Sequence, residues 1–115
     1  MRNTIRIKVK DELWERINML DVKEVYLELN DYYITQLLDK VQDFRIKNEL
    51  FNDPHPMELP IRIHKITIRR SYHGGDENLL KHGIFRMSIG YGKEKWGADP
   101  NKLYFVVTLG KSIIS

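Results

Sequence analysis

The sequence predicts an α+β fold, in which a strand-helix-helix N-terminal half is followed by a three-stranded antiparallel sheet. The apolar period changes from two to about 3.6 within residues 4–20, which is typical of a strand that leads into a helix. Three prolines lie within residues 52–60 and exclude a helix there. Beyond them, apolar and polar residues alternate in three segments, as they do in β-strands.

The first strand is predicted over residues 4–9, with one apolar face and one polar face. The apolar face is formed by Ile5, Ile7 and Val9, and the polar face by Thr4, Arg6 and Lys8. A helix is predicted over residues 11–20, because Asp11 is a suitable N-cap and Leu13, Ile17 and Leu20 follow at helical spacing.

Residues 21–30 fit both a strand and a helix, because Val25, Leu27 and Leu29 alternate while Val22, Tyr26, Leu29 and Tyr33 have helical spacing. The helix is favoured, with a turn near residues 23–27. A second helix is predicted from residue 30 or 31 to residue 44. Its apolar stripe would consist of Ile34, Leu37, Leu38, Val41 and Phe44.

The second half predicts strands over residues 61–72, 84–91 and 103–109. In the first, the alternation slips at His64-Lys65, which indicates a β-bulge. The second places Phe85, Met87, Ile89 and Tyr91 on one face, and the third is apolar on both faces and therefore central or covered. The predicted organisation is a strand-helix-helix unit (1–51), a proline-rich connection (52–60) and a β-rich half (61–115), packed together as one compact domain.

The amino-acid composition excludes some classes of function. The chain has 115 residues, 42% hydrophobic and 30% charged, as in a globular protein, and its net charge of +3 is compatible with nucleic acid. The absence of cysteine excludes disulfides, thiolate zinc sites and cysteine nucleophiles. The four histidines are nine residues apart, which is not a metal-ligand spacing. No metal, cofactor or membrane partner is therefore expected, and a cytoplasmic location is predicted.

The basic strand and the two helices of residues 3–44 resemble the ribbon-helix-helix DNA-binding family. In that family two chains pair their first strands into a ribbon that enters the major groove. The resemblance implies a homodimer in which Thr4, Arg6 and Lys8 read base edges. It also implies that Ile5, Ile7 and Val9 pack into a shared core with residues of both helices.

The element order also resembles that of RelE-type ribosome-dependent RNases. The segments 65–70 and 105–111 look like the late strands of that family. This resemblance implies that Arg69, Arg86 and Lys111 stabilise charge on the cleaved phosphate. Tyr72 or His73 would assist proton transfer.

The loop of residues 92–101 contains Trp96 among three lysines, Lys93, Lys95 and Lys102. An exposed ring in that setting could stack on a base or, together with Tyr91, contact a protein partner. The alternative is that Trp96 folds back onto the edge of the sheet.

We therefore interpret the chain as a small basic nucleic-acid-binding protein, with a dimeric DNA-binding regulator as the first choice and DNA favoured over RNA. The candidate nucleic-acid-binding residues are Thr4, Arg6, Lys8, Arg69, Arg86 and Lys111, and the candidate partner-binding residues are Tyr91 and Trp96. The alternatives are a RelE-like RNase and a protein-binding inhibitor or adaptor. The sequence contains no acid–base carboxylate pair and no nucleophile elbow, which disfavours an enzyme of ordinary metabolism.

Overall fold

In the part of the chain that the structure describes, a curled, six-stranded mixed sheet and three short α-helices form the fold, which is α+β as predicted. The computed structural model describes residues 3–71 and 79–113. The strands are β1 (Thr4–Val9), β2 (Glu24–Leu27), β3 (Met57–Glu58), β4 (Lys65–Arg70), β5 (Leu79–Tyr91) and β6 (Leu103–Ser112); the helices are α1 (Asp11–Asn18), α2 (Asp31–Leu37) and α3 (Phe44–Asn52).

The sheet has the order β1-β4-β5-β6-β2, and β3 pairs with β5 beside this path. The β1 and β4 strands are parallel, whereas β4-β5, β5-β6, β6-β2 and β3-β5 are antiparallel. The predicted three-stranded sheet is therefore wrong, since strands from the first half belong to the same sheet. The division of the chain into two halves and a connection stays a prediction.

The predicted strand-helix-helix order is also wrong, because β2 lies between α1 and α2. Within residues 21–30, Val25 and Leu27 are buried, and β2 pairs with β6 from Glu24↔Thr108 to Leu27↔Phe105. The helix that was favoured for this segment is therefore wrong, and the alternating pattern of a strand was the correct one of the two. The strand is selected because β2 pairs with β6, about 80 residues away in the sequence, and this pairing buries its apolar side chains.

The predicted long second helix is divided into α2 and α3. Leu38 adopts an extended conformation, and the Asp39 carboxylate accepts hydrogen bonds from the N–H groups of Val41 and Gln42. A short side chain that satisfies backbone donors in this way favours a turn over a continued helix. As a result, Val41 and Phe44 are exposed rather than part of the predicted apolar stripe.

The late strands depart from the prediction at their ends. β4 begins only at Lys65, where a bulge was predicted, and the irregular register lies in β5 between His82 and Arg86. Met87 and Ile89 are buried as predicted, but Phe85 on the same predicted face is 73% exposed. The third predicted strand corresponds to β6. It lies between β5 and β2, and its Phe105 and Val107 are fully buried.

One hydrophobic core joins the sheet to the helices. Its members include every second residue of β1, the apolar residues of β4 and the buried positions of all three helices. The most deeply buried side chains are Phe105, Ile17, Leu37, Ile63, Ile66, Ile68, Met87 and Val107. Because the helices cover this side, the polar residues of β1 and β4 face the opposite side of the sheet.

Candidate functional site

Three neighbouring strands, β1, β4 and β5, present a basic face to solvent. The parallel pairing of β1 and β4 places Arg6 beside Thr67 and Lys8 beside Arg69. The antiparallel pairing of β4 and β5 places Thr67 beside Lys81. We define the basic face by the five cationic residues that these registers bring together: Arg6, Lys8, Lys65, Arg69 and Lys81.

The alternation of the strands explains why these side chains share one face. Ile5 and Ile7 of β1, and Ile66 and Ile68 of β4, point into the core and are at most 5% exposed. The residues between them must therefore point outward. With strands about 4.8 Å apart and same-face residues about 6.7 Å apart, the face measures roughly 10 Å by 13 Å.

A cleft of about 400 Å³ lies on the basic face. Its walls include the long side chains of Arg6, Lys8, Arg69 and Lys81. The short side chain of Thr67 lies between Arg6 and Lys81 in the register of the three strands. A small hydroxyl residue flanked by longer cations leaves room for an anionic group and supplies it with a hydrogen-bond donor.

The five cations have no carboxylate partner among residues 3–71 and 79–113. In contrast, the other described arginines of the strands and their connections are engaged: Arg62 with Asp43, Arg70 with Asp11 and Glu15, and Arg86 with Glu58. Positive charge that no described carboxylate neutralises attracts anions from solution. The basic face is therefore the part of the sheet best suited to an anionic ligand.

A second concavity, of about 500 Å³, adjoins the basic face at the N-terminal end of β1. It is lined by Asn3, Thr4, Arg6, Tyr32 and Gln36, so that Arg6 borders both hollows. Tyr32 is 58% exposed, and its ring packs edge-to-face on Tyr33 with centroids 5.0 Å apart. We refer to this hollow as the Tyr32 concavity.

The structure brings four of the six predicted nucleic-acid-binding residues to one region. Thr4, Arg6, Lys8 and Arg69 lie on or beside the basic face. Lys111 is exposed near the end of β6, one strand further across the sheet. Arg86 lies seven residues after Leu79, the β5 partner of Arg69, which corresponds to roughly 20 Å along the strand.

This separation bears on the predicted RNase residues. Arg86 forms an ion pair with Glu58 of β3, at the other end of β5 from Arg69. Arg69 and Arg86 therefore do not meet over one phosphate. Tyr72 and His73, the residues considered for proton transfer, lie outside the described residues.

The sequence reasoning did not select Lys65, Thr67, Lys81 or Tyr32 for the site. The signal for Thr67 was its place in the alternation of β4, between Ile66 and Ile68. Lys81 and Tyr32 gave no such signal, because their neighbours in space come from distant parts of the chain.

The two predicted partner-binding residues lie away from the basic face. The Trp96 indole N–H donates a hydrogen bond to the carbonyl of Asp21, and its ring packs against the core. The ammonium groups of Lys93 and Lys95 lie 4.5 and 4.7 Å from the ring centroid. Tyr91 is 55% exposed at the end of β5. Their partner-binding role stays a prediction.

Elsewhere, charged groups stabilise the fold. Asp43 is 1% exposed and accepts hydrogen bonds from the Arg62 guanidinium and the Asp39 N–H. Burial alone would raise the pKa of Asp43, but these donors outweigh it and hold the pKa below its ordinary value. Burial, followed by the Glu24 carboxylate, raises the pKa of Tyr26.

The described part of the chain contains neither a candidate group of metal ligands nor a candidate membrane-spanning helix. Among residues 3–71 and 79–113, no group of three or more His, Cys, Asp or Glu side chains is placed to hold a metal ion. No helix there is both long and apolar enough to span a membrane.

Comparison with protein-family models, curated proteins and solved structures gave no match for the chain.

Proposed function

We propose that this protein binds nucleic acid and that the basic face is its contact surface. The observation that carries the proposal is the set of five cations on β1, β4 and β5 without carboxylate partners among the described residues. Phosphate contacts supply most of the affinity of such interfaces and fix the position of the protein on its ligand.

The side chains of the basic face favour phosphates over base edges. The centre of the face contains Lys, Arg and Thr, which donate hydrogen bonds to phosphate oxygens. A sheet face that reads unpaired bases usually presents aromatic rings, and none of the described residues that line the cleft is aromatic. Recognition through this cleft would therefore depend little on sequence.

A DNA-binding ribbon of paired β1 strands would require a second copy of the chain. β4 pairs with β1 along all six of its residues, so that the opposite edge of β1, which no described strand pairs with, is the one available to another β1. A dimer formed there would place two basic faces side by side. Solution mass by light scattering tests this form: a monomer at micromolar concentration would remove the ribbon and leave phosphate binding in place.

Fluorescence anisotropy with labelled oligonucleotides at graded salt tests the proposal itself. The probes are a 20-nucleotide single strand and the corresponding duplex, each as DNA and as RNA. We expect binding that weakens as salt rises. Binding that is absent at about 50 mM salt, or that does not change with salt, would refute it. Gel analysis of the same RNA would show whether it is cleaved, as the RNase alternative requires.

A further inference from the structure

We infer that the Tyr32 concavity accepts an unpaired base of a single-stranded nucleic acid whose phosphates lie on the basic face. This inference rests on the proposed function and adds the class of nucleic acid to it. Arg6 connects the basic face to the Tyr32 concavity, because its side chain lines both the cleft and the concavity. A phosphate held at Arg6 would place the adjoining nucleotide at the entrance to the concavity.

The chemistry of the concavity suits a nucleobase. Tyr32 supplies an exposed aromatic ring, and its edge-to-face contact with Tyr33 limits the orientations of that ring. Asn3 and Thr4 also line the concavity, and their amide and hydroxyl side chains can form hydrogen bonds with a base. An aromatic platform beside a cationic backbone site is the arrangement by which proteins hold single strands.

A base that is paired within a duplex could not enter the concavity. Bases in a duplex are stacked and paired, so that a base enters a side pocket only after it leaves the helix. A volume of about 500 Å³ is within the range of small-molecule sites and is large enough for one base. The inference therefore predicts preference for a single strand over a duplex of equal length, whether DNA or RNA.

The test compares Tyr32→Ala with Tyr32→Phe and with Phe51→Ala. Phe51 is a matched control, since it is an aromatic residue of similar exposure on α3 that is not among the residues lining either hollow. Stacking on one base corresponds to about a 5- to 150-fold change in affinity. We expect Tyr32→Ala to weaken single-strand binding within this range, without an effect on duplex binding. Tyr32→Phe and Phe51→Ala should bind as the unchanged protein does.

A second measurement uses the unchanged protein and a single strand that contains 2-aminopurine. Stacking of this base on Tyr32 would alter its fluorescence, and the Tyr32→Ala variant would abolish the alteration. Circular dichroism confirms that each variant is folded, and little buried area is lost because the Tyr32 ring is largely exposed.

The outcomes separate this inference from the proposed function. If Tyr32→Ala binds single strands with full affinity while Arg69→Gln with Lys81→Gln weakens binding, the base site is refuted and phosphate binding by the basic face stands. If the single strand and the duplex bind equally well, the base site is refuted as well. If neither set of variants changes binding, both proposals fail.

Discussion

Neutralising part of the basic face tests the proposed function most directly. The change is the double variant Arg69→Gln with Lys81→Gln, which removes two cations that line the cleft. Both positions are at least partly exposed, and neither side chain is in an ion pair with a described residue. The substitution therefore changes the charge of the face while the core and its hydrogen bonds remain.

The expected magnitude follows from counterion release. If each of the five cations contacts one phosphate of a single strand, the logarithm of the binding constant falls with the logarithm of salt with a slope of about −3.5. A rise from about 50 to 200 mM salt would then cost roughly a hundredfold in affinity. In the double variant the slope becomes about −2.1, and the same rise costs roughly 20-fold.

The assay is fluorescence anisotropy over that salt range, with Lys23→Gln and Arg45→Gln combined as the matched control. This control also replaces one lysine and one arginine, at exposed positions outside β1, β4 and β5. We expect its slope to equal that of the unchanged protein. Equal slopes in all three proteins would refute the basic face as the contact surface. An equal loss in both variants would show that only the net charge matters.

Three further predictions concern recognition and stability. Arg6→Ala should weaken binding by a similar factor for all oligonucleotide sequences, because we place Arg6 against phosphate; a relaxed sequence preference would instead favour base reading. Asp43→Asn should lower the melting temperature at pH 7, and the difference should shrink as the pH falls below about 4. The pKa of Asp43 is lowered in the folded state, so that its contribution is present above the ordinary value of 3.8 and is lost as the pH falls through the lowered one. Ile68→Ala should destabilise the fold by about 2–5 kcal/mol in urea unfolding, since Ile68 is fully buried; a loss below about 1 kcal/mol would contradict its place in the core.

Local patterns predicted the first two elements well. The alternation in residues 4–9 matches β1, and the predicted helix over residues 11–20 exceeds α1 by two residues. These patterns succeed because a period of two or 3.6 is visible within a single element. They failed in residues 21–30, where both periods were present: the helix was favoured, but the pairing of β2 with β6 selects the strand.

The candidate site was only partly predictable for the same reason. Arg6 and Lys8 could be found because their strand alternates without interruption. Their alignment with Thr67 and Arg69 requires a parallel pairing between strands about 60 residues apart, and Lys81 enters through a further antiparallel pairing. Sequence periodicity gives the face of one strand but not the identity of its neighbours.

The small net charge of the chain also gave no indication of how strongly charged the basic face is. The whole sequence carries +3, whereas the five cations of the basic face alone carry +5, so that the other residues together carry −2. A polyanion would therefore be attracted to one region of the protein and not to its surface in general. This segregation explains why the control variant outside the basic face should leave the salt slope unchanged. It also makes the distribution of charge over the sheet, rather than its total, the physical basis of the proposed function.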